Sequence, residues 1–138
     1  MPAPDAIHDA VKAALIRDGW TITADPFVIQ YEDVTLFADL GAERPLAAER
    51  DGRKIVVEVK SFLSPSPMRD LETALGQYEL YRGFLELTEP EHGLYLAVSN
   101  TVYENVFARN AIQVILKRNR MAIIVVDLND EEIVSWIS

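Results

Sequence analysis

The chain has 138 residues, 49% hydrophobic and 25% charged, which fits one globular domain, residues 1–138, and excludes a disordered tail, a collagen-like repeat or a coiled-coil rod. It has no cysteine, so thiol catalysis, cysteine-based zinc sites and a disulfide framework are excluded; with no membrane-length apolar run and no signal-like N-terminus, a cytoplasmic protein that does not enter membranes is expected. The balance of 13 Lys+Arg against 22 Asp+Glu gives a net charge of −9, the wrong sign for coating nucleic acid electrostatically, so any DNA contact must be local, as at carboxylates whose bound cation reverses the field.

In chain order, Ile7, Ala10, Val11, Ala14 and Leu15 recur every three or four positions and predict a first helix from Pro4-Asp5, with Asp5 as N-cap, to Gly19. Short strands follow at Trp20 to Thr23 and Phe27 to Tyr31 around the Asp25-Pro26 turn, and a third at Val34 to Leu40, which Gly41 ends. Leu46 to Arg50 and Lys54 to Phe62 flank Asp51-Gly52, a strong hairpin signal. After Ser64-Pro65-Ser66-Pro67 a long helix runs to about Leu87, with Leu71, Leu75, Tyr78 and Leu85 on one side. A buried-type strand, Leu94 to Val98, precedes helical sequence from about Thr101 to Lys117, and strands at Met121 to Asp127 and Glu132 to Ile137 close the chain. This order predicts an α/β or α+β domain, of which α/β is chosen, with helices packed on a mixed sheet.

Side chains alternate along the strand after Asp51-Gly52, so Ile55, Val57 and Val59 face one way and Val56, Glu58 and Lys60 the other. The apolar run before Glu58 marks a central strand, where a charge is costly unless it is paired or used. A two-residue turn would set Pro45 opposite Glu58 and Glu43 opposite Lys60, so Glu43, Glu58 and Lys60 are expected to converge, with Asp39 arriving from the preceding strand. Carboxylates and one lysine at a strand end suit Mg²⁺ or Mn²⁺, held by Asp39 and Glu58, with Lys60 steadying an attacking water or a developing phosphorane charge. The spacing Asp39-x(18)-Glu58-x-Lys60 resembles the PD-(D/E)xK nuclease signature, although Glu-x-Lys also occurs as an ordinary charge pair on solvated strands. Gln77 and Tyr81, four apart on one helix face, resemble the Q-x-x-x-Y motif of RecB-type nucleases, in which Gln and Tyr position nucleic acid; an amphipathic helix with a half-buried Tyr81 is the plain alternative.

The blocks His8 to Lys12, Leu15 to Trp20, Asp39 to Glu43, Val57 to Phe62, Leu75 to Tyr78 and Ile133 to Ile137 resemble the XisH family, the fdxN element excision controlling factors of cyanobacteria, over nearly the whole chain. The resemblance implies a restriction-endonuclease-like fold and a role in controlled excision of a DNA element, where a separate recombinase cuts and a companion, XisI, works with XisH. It implies no demonstrated nuclease. Many relatives of the nuclease pattern place the first acid directly after a proline, whereas Pro45 is followed by Leu46; Asp39 is therefore chosen, with Glu43 and Glu49 as rivals.

His8, on the first helix, is a secondary candidate, since related nucleases sometimes supply a site residue from there; a solvent-facing histidine is the alternative. His92 is expected to be exposed in a loop, and Lys117-Arg118-Asn119-Arg120 either grips phosphate or complements a helix C-terminus. Two functions remain open: a metal-dependent DNA endonuclease, or a non-cleaving module that binds DNA or the recombination machinery. Large apolar residues on both faces of the last strand, Ile133, Val134, Trp136 and Ile137, predict a cover for it, most simply a second copy in a homodimer.

Overall fold

The three-and-four apolar spacing of the first segment produces helix α1, Pro4–Arg17, with Ile7, Val11, Ala14 and Leu15 buried. The structure, a computed structural model, describes residues 4–44 and 52–138. After α1 come strands β1 (Thr21–Ala24), β2 (Phe27–Tyr31), β3 (Val34–Ala38), β4 (Leu40–Arg44) and β5 (Arg53–Val59). Helix α2 (Pro67–Thr88), capped by the Ser66 hydroxyl accepting from the Arg69 N–H, leads to β6 (His92–Ser99). A short helix α3 (Asn100–Val102), a π-helical turn (Tyr103–Phe107), α4 (Asn110–Arg118), β7 (Ile123–Asp127) and β8 (Glu132–Ile137) complete the chain.

The expected α/β architecture is present as a mixed sheet with helices on both faces. Six strands run in the order β1-β4-β5-β6-β7-β8, with β5, β6 and β7 mutually parallel and the other pairs antiparallel. β2 and β3 form a separate two-stranded ribbon. On one face α1 and Trp20 pack on Leu40, Ile55, Val57, Ala97, Ile124 and Val126. On the other, α2, α4 and the ribbon pack on Val56, Leu96, Val98, Ile123 and Val125. Both faces of the middle strands are covered, which explains the continuous rather than alternating apolar runs there. No described helix is long and apolar enough to cross a membrane.

Several elements depart from the sequence reading for identifiable reasons. The helix begins at Pro4, so Asp5 lies inside its first turn rather than at the cap. The strand expected at Val34 to Leu40 bends at Asp39, and Gly41 lies within β4 instead of ending a strand. Glycine is needed there because a Cβ at Gly41 would stand 2.6 Å from Cδ2 of Phe27. β4 pairs Leu40 with Val57 and Arg44 with Arg53, so the strands are joined by residues 45–52 and the register is not the one that a turn at Asp51-Gly52, with Arg50 opposite Arg53, would set. The strand expected at Leu46 to Arg50 lies outside the described residues. The single helix expected from Thr101 is broken by the π-helical turn before α4. In β8 the register slips at Val134: Val125 pairs with Ser135 and Val126 with Ile133, so Ile133 and Trp136 share a face instead of opposing one another. Trp136 rests 5.6 Å from Trp20 and 5.2 Å from Tyr95, ring centre to ring centre, and Ile137 packs against the opposite core, leaving Val134 57% exposed. Much of the apolar surface that prompted the expectation of a second copy is thus covered within the chain.

The Gly41 contact makes a packing prediction. Gly41→Ala should destabilise the protein by about 1–3 kcal/mol in urea unfolding, the usual cost of overpacking, and Phe27→Leu added to it should recover part of that loss. Equal midpoints for Gly41→Ala and the wild type would show that the Phe27 ring yields freely.

Candidate functional site

Glu58 shares strand parity with Val56 and so faces the α2 side of the sheet, where the covering layers leave only 11% of its side chain exposed. One step beyond the Leu40–Val57 pair, the register sets Asp39 beside Glu58. The ladder is completed there by side chains. The backbone N–H of Asp39 donates to Glu58 Oε1 (3.2 Å), and the backbone N–H of Val59 donates to Asp39 Oδ2 (2.7 Å). Lys60 Nζ lies 3.3 Å from Glu58 Oε2, and its own backbone N–H bonds to the Ala97 carbonyl on β6. Asp39, Glu58 and Lys60 are therefore brought together.

α1 adds a second layer. His8 Nδ1 stands 3.7 Å from Asp39 Oδ1, and its Nε2 lies 3.1 Å from Asp25 Oδ1. Lys12 Nζ reaches the other oxygen of Asp25 at 2.8 Å. That ion pair raises the Lys12 pKa and lowers that of Asp25, in both cases chiefly through the hydrogen bond between them. Asp25 and Lys12 were missed as members of the site because Asp25 reads as a turn residue before proline; the usable signal was the four-residue spacing of His8 and Lys12 on one helix face.

α2 closes the site from above. Tyr81 is buried and its hydroxyl donates to the Phe37 carbonyl (2.9 Å), bracing β3 just before Asp39. Gln77, one turn earlier on the same face, has Oε1 buried with no hydrogen-bond partner among the described residues. Burial first, and then the charges of Glu58 and Asp39, push the Tyr81 hydroxyl up to about 12. The Glu58 carboxyl is pushed up to about 7, by burial first and by Asp39 second, with Lys60 acting against the shift.

Other sequence candidates lie elsewhere. Glu43 pairs with Lys54, so it does not converge on Lys60; Lys54 lies four positions before Glu58, about 13 Å along an extended strand. Glu49 lies outside the described residues. His92 is not in an exposed loop: it opens β6 with 11% of its side chain exposed and its ring 5.3 Å from that of Phe27. Lys117 and Arg118 occupy the last turn of α4, where the helix dipole favours cations. Among the described residues, one group of three potential ligands, Glu89, Glu91 and His92, has donor atoms within 4.8 Å of one another. Asp39 and Glu58 are a pair rather than such a triad. The two carboxylates of Asp39 and Glu58 are nonetheless oxygen donors of the kind that a hard divalent cation takes.

Comparison with known proteins gives a consistent family. The XisH protein family matches residues 1–134. The crystal structure of an XisH family protein from Nostoc punctiforme PCC 73102 is 41% identical, with 97% of this chain and 100% of that one covered and a TM-score of 0.89. That of an fdxN element excision controlling factor protein from Anabaena variabilis is 42% identical, with 97% and 99% covered and a TM-score of 0.87. No curated protein matches significantly.

The raised Glu58 pKa fixes the sign of a pH effect in the protein held in chelator. Between 4.5, the ordinary value, and about 7 the folded state keeps a proton that the unfolded chain has lost. Stability contributed by Glu58 is therefore full below pH 4.5, falls as pH rises toward 7, and is flat above, a change on the order of a few kcal/mol. Glu58→Gln, which retains the oxygen that accepts from Asp39, should flatten this dependence in denaturant titrations across that range. An unchanged slope in the variant would remove Glu58 as its source.

Proposed function

The chain belongs to the XisH family, and we propose that it is a controlling factor for excision of a DNA element that acts as a Mg²⁺- or Mn²⁺-dependent endonuclease with a restriction-endonuclease-like, PD-(D/E)xK site. The role in excision is supported by the described function of the Anabaena variabilis relative. The observation that carries the nuclease is the buried Glu58 carboxylate, with Asp39 across the strand gap and Lys60 3.3 Å away. Asp39 and Glu58 would hold the cation, which when bound supplies positive charge against an incoming phosphate. Lys60 directs its ammonium at the same place, where it orients water and offsets charge on the phosphoryl oxygens. Tyr81 keeps Asp39 in register through Phe37, and Gln77, one turn earlier on the same helix face, would position the strand through its carboxamide. In hydrolysis the oxygen of water joins phosphorus as the bond to the leaving oxygen breaks, and the proton released from water ends on that leaving group.

A catalytically silent module that binds DNA or the recombination machinery is favoured by a different observation. Asp39 and Glu58 each already accept a main-chain N–H, a structural task, and the chain carries a net charge of −9. In both cases the proposed partners are DNA, an XisI-like companion and a second copy of the chain, the last meeting the open edge of β8 beside Val134.

Nicking of supercoiled plasmid with Mn²⁺ separates the two. The wild type should nick, and Lys60→Ala and Glu58→Gln should each lose about 10²-fold or more of the rate. Nicking that survives both substitutions unchanged would withdraw the site. A wild type that binds DNA without nicking it would establish the silent module.

A further inference from the structure

A cavity of about 380 Å³ opens beyond the carboxyl ends of all three parallel strands. Ser61 to Leu63 follow β5, Ser99 to Val102 end β6 and form α3, and Leu128 and Asn129 follow β7. This is where open α/β sheets place their ligands, and the volume lies within the range of small-molecule sites. No charged side chain lines it. Its apolar walls are Phe62, Leu63, Val102 and Val106, and its polar groups are neutral: the carboxamides of Asn100, Asn105 and Asn129 and nearby hydroxyls. Asn100 Oδ1 accepts from the Thr101 N–H (3.0 Å), which leaves its NH₂ group to donate. Phe62 is held edge-on against Phe107, with ring centres 5.2 Å apart, and its backbone lies in the left-handed region at φ 54°, which turns the chain sharply out of β5.

The lining offers no counter-charge to phosphates, carboxylates or ammonium groups, which disfavours them as occupants of its apolar interior. It suits a neutral planar group with a hydrogen-bonding edge: carboxamides pair with base edges, and aromatic and apolar walls take a base's faces. A second cavity, of about 250 Å³, is lined by Lys60, Ser64 and Asp70 and shares Ser61, Phe62 and Leu63 with the first. The two cavities therefore share a wall, Ser61 to Leu63, with Lys60 on the far side of it from the neutral one. With a net charge of −9, the chain has little attraction for a phosphate backbone at large, so uncharged contacts must carry much of any grip on DNA.

We propose that this cavity is a nucleobase pocket, which takes an unstacked base of a DNA strand whose phosphate lies at Lys60. The inference rests on reading the Glu58–Lys60 cluster as a phosphodiester site and adds the substrate class: a single strand, or a duplex position from which a base can leave the stack. An apolar peptide side chain is the competing occupant, disfavoured by the three asparagines in the lining.

The test is binding of a short single-stranded DNA carrying one 2-aminopurine, measured by its fluorescence in chelator so that hydrolysis plays no part. The wild type should change the probe's fluorescence and bind the same strand at least tenfold more weakly when that nucleotide is abasic. Thr101→Trp, at an exposed rim position, and Asn105→Leu should abolish the preference for the base, while circular dichroism shows both folded. Equal affinity for the abasic strand, or a preference untouched by Thr101→Trp and Asn105→Leu, would overturn the pocket even if plasmid nicking is intact. Base-dependent binding without nicking in any metal would leave the pocket standing and sink the nuclease. Displacement by an apolar peptide but not by free nucleosides would assign the cavity to a protein partner.

Discussion

The reciprocal bonding of two carboxylates to two strands is the constraint on which the site depends. β3 must leave its ribbon with β2 and enter the main sheet as β4, and that change of direction takes place at Asp39. A bend in a strand interrupts the ladder and leaves main-chain N–H groups to be satisfied. Here Glu58 accepts from the N–H of Asp39, and Asp39 accepts from that of Val59, so each acid caps the strand of the other. The same two bonds bring both carboxylates to one point.

That closeness is electrostatically unfavourable without a cation. Glu58 lies on a strand covered on both faces, and its like-charged neighbour adds to the desolvation; Lys60 compensates only in part. Breaking one partner of a buried pair is usually costly, because the remaining charge is stranded. In this site the strain runs the other way, since the raised pKa means that ionised Glu58 is the group out of balance. A cation of the hard type would restore balance and at the same time make an acidic molecule locally attractive to phosphate. The α1 layer then has a plain role: His8 and Lys12 hold Asp25 and keep α1 packed against the bend at Asp39.

The elements carried by strong periodicity were legible from sequence. α1, α2, β2 and β8 follow from apolar spacing, and so does the shared face of Glu58 and Lys60, because alternation in a strand is geometric. What failed was register. Asp51-Gly52 is a good turn signal by itself, but the β4 to β5 pairing is set by Leu40, Ala42, Ile55 and Val57 facing the α1 core together, and burial of that face outweighs a local turn preference. Asp39 therefore stands opposite Glu58, while Glu43 is carried toward the far end of β5. Gly41 reads as a stop only if its contact with Phe27 is unknown, and that contact joins segments which sequence spacing does not relate. The bulge at Val134 and the break at Tyr103 are likewise invisible to a fixed period, since each inserts a residue into it.

The central claim is that Asp39 and Glu58 are drawn together to share a cation, and thermal unfolding with and without millimolar Mn²⁺ tests it most directly. An ion that binds only the folded state adds about 2.7 kcal/mol at a hundred times its dissociation constant, which shifts the midpoint by several degrees for a domain of this size. The account predicts that shift for the wild type, its loss in Asp39→Asn and Glu58→Gln, and its retention in Glu43→Gln. A wild type that melts at one temperature with or without the ion, together with a markedly destabilised Glu58→Gln in its absence, would contradict the account and leave Glu58 as a structural partner of Lys60.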